Sequence, residues 1–168
     1  GATYEVFTID KSGALHVSSL VLPQVGSGPH WRQEQAHPHA VVFDPSGAFI
    51  ATADLGTDEI QIFTLQQQQL QQVSVVKVAD GSGPRHLAFN PSASILYVIN
   101  ELSATITSFA YDSAAGVLGE QLQTVATVPQ SFPCDKSTAE IMVHPNGKTL
   151  YCSNRKFADH PLADSIVT

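Results

Sequence analysis

The chain has 168 residues, of which 43% are hydrophobic, 14% are charged and three are arginines. That is one domain with enough apolar surface for a packed core, which excludes a disordered, collagen-like or coiled-coil chain. Eight basic against fifteen acidic residues leave a net charge of −7, which argues against a nucleic-acid or anionic-membrane partner.

In chain order, Glu5-Val6-Phe7-Thr8-Ile9 is an alternating strand, followed by a polar, Gly- and Pro-containing stretch through Gln35 that holds the single tryptophan, Trp31, and Arg32. From there a pattern recurs three times, as Val41-Val42-Phe43-Asp44-Pro45, Leu87-Ala88-Phe89-Asn90-Pro91 and Ile141-Met142-Val143-His144-Pro145. Each copy is a short apolar strand that runs into a turn, where Asp or Asn caps its own backbone and Pro presets the next φ. A second strand follows in each copy, at Phe49 to Ala53, Ile95 to Ile99 and Leu150 to Ser153. The third alternates, as in Glu59-Ile60-Gln61-Ile62-Phe63 and Ala104 to Phe109, which predicts one side chain inward and the next outward. Its last copy is Asp164-Ser165-Ile166-Val167-Thr168. Leu70 to Val78 and Gly116 to Val128 supply fourth strands, with the glutamine run at Gln66 to Gln72 read as a solvated turn into the first of them.

The turn prolines stand about 50 residues apart, and four short strands at a period of that order are the pattern of propeller blades. The expected fold is therefore an all-β β-propeller of four-stranded antiparallel blades. About three and a half blades are present: the end of one blade and a loop in 1–35, blades in 36–80 and 81–130, and the start of another in 131–168. An open arc exposes apolar faces and strand edges, so the expectation is that further blades, from the same protein or a second chain, complete the ring.

Aligning the copies on the turn proline makes columns. Six residues before it stand His39, Arg85 and Ala139; nine after it stand Asp54, Asn100 and Asn154; ten after it stand Leu55, Glu101 and Arg155. These columns share one rim, because the first strand begins where the second ends. The Asp and Asn column is read as structural, capping the turn into the third strand. The change from Leu to Glu to Arg at one rim position has no structural reason and fits a site built differently on each blade. His37 and His39 flank Pro38 and point the same way on a strand; with no third ligand in sequence reach, no metal is expected. His144 is read as a turn residue, and Cys134 and Cys152 as isolated thiols that form no bridge framework.

Ala36-His37-Pro38-His39, Gly81-Ser82-Gly83-Pro84-Arg85-His86, Val98-Ile99-Asn100-Glu101, Ser137-Thr138-Ala139-Glu140 and Ser153-Asn154-Arg155 resemble, in order, the segments of the lactonase family of seven-bladed propellers. That family includes 6-phosphogluconolactonases and carboxy-cis,cis-muconate cyclases. The resemblance implies a polar cleft at the propeller mouth with catalytic candidates His37 or His39, Arg85, Glu101 and Arg155, and with Arg85, Arg155, His86 and Glu140 as substrate contacts. It implies no cofactor and a small anionic substrate, since guanidinium groups pair with phosphate or carboxylate. An imidazole would act as base on water, with Glu101 orienting it or shuttling the proton. The leading expectation is sugar-lactone hydrolysis. Muconate cycloisomerisation is the alternative enzyme activity and a non-catalytic binding scaffold the alternative class. No Asn-x-Ser/Thr acceptor with a permitted middle residue occurs, so a cytoplasmic location is expected, with export the alternative.

Overall fold

The computed structural model describes residues 2–66, 69–129, 136–156 and 165–167. They form thirteen strands: β1 (Thr3–Ile9), β2 (Leu15–Pro23), β3 (Pro38–Phe43), β4 (Phe49–Asp54), β5 (Glu59–Gln66), β6 (Gln69–Lys77), β7 (Pro84–Phe89), β8 (Ile95–Asn100), β9 (Thr105–Asp112), β10 (Val117–Ala126), β11 (Lys136–Val143), β12 (Leu150–Lys156) and β13 (Ser165–Val167). The strands make four antiparallel sheets, β1-β2, β3-β4-β5-β6, β7-β8-β9-β10 and β11-β12-β13. Each follows chain order, as hairpin-connected propeller blades do. The first strands are neighbours, β3 beside β7 and β7 beside β11, and the outer strands β2, β6 and β10 follow one another likewise. The sheets thus fan about an axis lined by β3, β7 and β11. No helix of the described residues is long and apolar enough to cross a membrane.

The repeated turn has one geometry made with three residue types. Asp44 accepts from the Phe49 N–H, Asn90 Oδ1 from the Ser94 and Ile95 N–H groups, and His144 Nδ1 from the Asn146 N–H. Two residues after each proline the chain takes positive φ, at Gly47 (73°), Ala93 (51°) and Gly147 (71°). Glycine is the low-cost choice there, and Ala93 adopts the same conformation despite its Cβ.

The largest core lies between the second and third sheets, where Ala51, Ala53, Ile60 and Ile62 meet Leu96, Val98, Phe109 and Tyr111. Fully burying a side chain such as Ile or Phe contributes roughly 1.5–3 kcal/mol. A smaller cluster of Ile99, Ile106, Ile141 and Cys152 joins the third sheet to the fourth. On the other flank Tyr4 packs edge-on against Phe63 and donates its hydroxyl to the Ala53 carbonyl at 3.1 Å.

Two expectations need correction. The third strand of the first full blade alternates in chemistry but not in exposure: residues 60–63 of β5 are all buried, because neighbouring sheets pack on both faces. The glutamine run is also not simply a turn. Gln66 ends β5 and Gln69 opens β6, paired across the hairpin, and Gln69 to Gln72 are already strand; residues 67 and 68 lie outside the described residues. Cys134 and Asp164 lie outside them as well, and Cys152 is a buried free thiol whose burial raises its pKa.

Candidate functional site

Each blade brings the start of its first strand against the end of its second, pairing Pro38 with Asp54, Pro84 with Asn100 and Thr138 with Asn154. All three pairs mark the same rim. At each of these places the first strand shifts register, and such a bulge re-aims the adjacent side chains. His39, Arg85, Ala139 and Glu140 sit at those bulges.

Glu101 is the hub. It follows β8, its side chain is only 3% exposed, and its backbone N–H donates to Gly83 O at 2.7 Å. Arg85 from the same blade donates from Nε to Oε2 at 2.9 Å, and Arg155 from the next blade reaches Oε1 with Nη2 at 3.0 Å. Arg32, from the loop before β3, donates from Nη1 to Oε1 at 2.8 Å. All three arginines of the chain therefore converge on one carboxylate from three parts of the sequence. Burial alone would raise the Glu101 pKa, but Arg32, Arg155 and Arg85 outweigh it and hold the carboxyl below its ordinary value.

A second chain of contacts runs through Arg85. Its Nη1 donates to Ala139 O at 2.9 Å and lies 3.1 Å from His86 Nε2. A guanidinium can only donate, so His86 Nε2 accepts and its Nδ1–H donates to Glu140 Oε1 at 2.9 Å. Burial opposes ionisation of Glu140, but His86 and the Ile141 N–H prevail and lower its pKa. The His39 ring meets His86 edge-on, with centroids 5.4 Å apart. Partial burial, then the Arg85 charge, depress the His39 pKa, which favours the neutral imidazole. His37 lies 3.3 Å from Glu34. Both His37 and His39 line an open cleft of about 370 Å³ with Trp31, Arg32, Glu34 and Leu55.

The structure thus brings together His39, Arg85, His86, Glu101, Glu140 and Arg155, with His37 lining the same cleft as His39 and paired with Glu34. Glu101 differs from its expected role in one respect. Both of its oxygens are taken by guanidinium groups, so it orients arginines, and the imidazole contacts fall to Glu140 and Glu34. The Asp and Asn column also divides. Asp54 accepts from the N–H groups of His37, Gly56 and Thr57, a true turn cap. Asn100 donates to the Thr105 and Thr107 hydroxyls and Asn154 to Thr127 O, so these tie the turn to its surroundings by donating.

Sequence reasoning missed Arg32, Gln33 and Asp58. Gln33 is fully buried and donates to Leu55 O and to Asp58 Oδ1, both at 2.8 Å. Asp58, buried at a φ of 60°, also accepts from the Gly81 and Gly83 N–H groups at 2.8 Å each. Gly83 O in turn receives the Glu101 N–H. One aspartate therefore fixes both halves of the Arg32–Glu101 pair, the loop through Gln33 and the hub through Gly83. The available signal was compositional. With only three arginines on an acidic chain, the third belongs with the other two more readily than on a random surface.

The whole chain, residues 1–168, matches the family described as "Lactonase, 7-bladed beta-propeller". It is 33% identical over 150 residues to a 6-phosphogluconolactonase of Bacillus subtilis, covering 89% of this chain and 43% of that protein. The fold superposes on a Lactobacillus plantarum protein with a TM-score of 0.87 and 31% identity, covering 99% of this chain and 50% of that one. A periplasmic gluconolactonase of Pseudomonas aeruginosa gives a TM-score of 0.82 at 28% identity, covering 92% and 44%. The chain spans about half the length of these proteins. The family match over residues 1–168 and the identity to relatives across nine-tenths of the chain make it a member of the lactonase family of seven-bladed β-propellers.

Proposed function

We propose that the protein hydrolyses a sugar lactone of the 6-phosphogluconolactone type. The observation that carries this reading is the convergence of Arg32, Arg85 and Arg155 on the buried Glu101, beside a base-competent His39 at the rim of a polar cleft. Three guanidinium groups on a chain of net charge −7 are a local cationic patch where a phosphate or carboxylate binds through paired hydrogen bonds. The similarity to a 6-phosphogluconolactonase and a gluconolactonase supports the same class.

In this mechanism neutral His39 takes a proton from water as the oxygen attacks the lactone carbonyl carbon. Arg85 or Arg155 stabilises the carbonyl oxygen as it gains negative charge. The ring C–O bond then breaks, and the proton passes to the departing ring oxygen, giving the open hydroxy acid. His86 and Glu140 act through Arg85, holding its guanidinium in place. Because the His39 pKa is depressed from 6.5, the base is lost only as pH falls through a value below that. kcat/KM for lactone hydrolysis should be level at neutral pH and decline below about 6.5, and His39→Gln should remove most activity. A profile level from about pH 5 to 8 would count against an imidazole base.

The reading also calls for more blades. The β1-β2 sheet leaves Phe7, Ile9, Leu15 and Val17 between 48% and 78% exposed, a face that another sheet would cover. We propose that further blades, from the same protein or a second chain, close the ring. Native mass spectrometry should then give a particle of at least about twice 17.9 kDa. A folded, active particle of 17.9 kDa alone would rule this out.

A further inference from the structure

The chain's single tryptophan has no evident structural task. Trp31 is 81% exposed, although burying an aromatic side chain is among the most favourable packing a residue offers. Other exposed apolar residues, such as Phe7, Ile9 and Phe43, lie on strands, while Val25 shares the Trp31 loop but does not line the cleft. Trp31 sits in a loop and lines the cleft that also holds Arg32, His37 and His39.

The loop is built to hold that position. The His30 N–H donates to Gln33 Oε1 at 3.0 Å, the Gln33 N–H to His30 O at 2.8 Å, and the Arg32 N–H to His30 Nδ1 at 3.1 Å. Gln33 is anchored below to Leu55 and Asp58. The His30 ring lies against the indole with centroids 5.6 Å apart and planes inclined by 32°. Residues 30–33 therefore present an aromatic plane and a guanidinium from adjacent positions on a hydrogen-bonded turn.

We propose that Trp31 is the platform on which the ring of a sugar lactone stacks, and that it determines specificity for the proposed reaction. A sugar ring has a face of C–H bonds whose hydrogens carry partial positive charge, complementary to the negative π face of indole. The same ligand's anionic substituent needs a guanidinium, which Arg32 brings from the next residue. A cleft with one aromatic plane and a few convergent charged groups suits a small ligand with one apolar face and one charged end. This inference rests on the lactonase reading for the identity of the ring.

The test uses the full-length protein, with steady-state hydrolysis of 6-phosphogluconolactone and a fluorescence titration with its product, 6-phosphogluconate. Trp31→Ala should raise KM about tenfold, equivalent to about 1.4 kcal/mol, and change kcat less than about twofold, as expected for uniform binding. Trp31→Phe, which keeps an aromatic face, should recover most of the loss. The wild-type minus Trp31→Phe difference spectrum isolates this indole, and its emission should shift as product binds. An unchanged KM in Trp31→Ala, with no emission change at saturating product, would overturn the proposal. If the wild-type protein hydrolyses no lactone, the lactonase reading fails, and the titration still decides whether Trp31 stacks on a sugar acid.

Discussion

Glu101→Ala should abolish lactone hydrolysis in the full-length protein, lowering kcat/KM by at least about 10³-fold, and should destabilise the fold by roughly 2–4 kcal/mol. The carboxylate is 3% exposed and is the shared partner of Arg32, Arg85 and Arg155. Removing it leaves three positive charges facing one another without their counter-ion. The stability loss lies toward the lower end for a broken buried pair, because Arg32 and Arg155 are 30% and 40% exposed and water screens them. The activity loss is larger, since misplacing a catalytic group by about 1 Å can cost about 10² in rate and here all three guanidinium groups lose their anchor. Glu101→Gln keeps the shape and one acceptor, so it should fall between wild type and alanine.

The same residue predicts a pH dependence of stability. The folded-state pKa of Glu101 is lowered, so its stabilisation is complete above the unfolded value near 4.5 and is lost as pH falls through the lower folded value. The difference in melting temperature between wild type and Glu101→Gln should therefore shrink below about pH 4. A difference independent of pH would mean that the arginines do not stabilise the ionised form.

The blades are legible in the sequence because a propeller repeats its local physics. The Pro-centred turn, its capping side chain and the apolar strands on either side recur at Pro45, Pro91 and Pro145, and aligning these copies is enough to place Arg85, Glu101 and Arg155 on one rim. Alignment by repeat is also what hides Arg32. Its loop, residues 24–37, joins one sheet to the next and has no counterpart of the same length later in the chain, so no column contains it. Asp58 escapes for a related reason. Its equivalent, Ala104, has the same positive φ but no side-chain acceptor, so the position reads as a turn and not as the tie between two loops. The role of Glu101 is hidden because its partners come from residues 32, 85 and 155, separations that periodicity cannot join. The β5 alternation misleads because strand periodicity reports chemistry on two faces, while exposure depends on whether sheets cover both.

Arg85→Ala and Arg155→Ala in the full-length protein bear directly on the site. Arg85 is the most enclosed of the three guanidinium groups, with 17% of its side chain exposed, and it carries contacts to Glu101, His86 and Ala139. Arg155 is bonded to Glu101, Ser137 and Thr138 and remains 40% exposed toward solvent. In the proposed mechanism one stabilises the lactone carbonyl oxygen, and the other joins Arg32 in holding the anionic end of the substrate. Losing the first should lower kcat about 10²–10³-fold, as removal of a single oxyanion donor does. Losing the second should appear mainly in KM, because removing a contact made equally in ground and transition states lowers affinity without changing the chemical step.

The most direct measurement is kcat/KM for 6-phosphogluconolactone in wild type, Arg85→Ala and Arg155→Ala, with circular dichroism to establish that each variant is folded. kcat/KM should fall by at least about 100-fold in both folded variants. Wild-type hydrolysis retained in both would contradict the assignment of this arginine cluster as the lactone site.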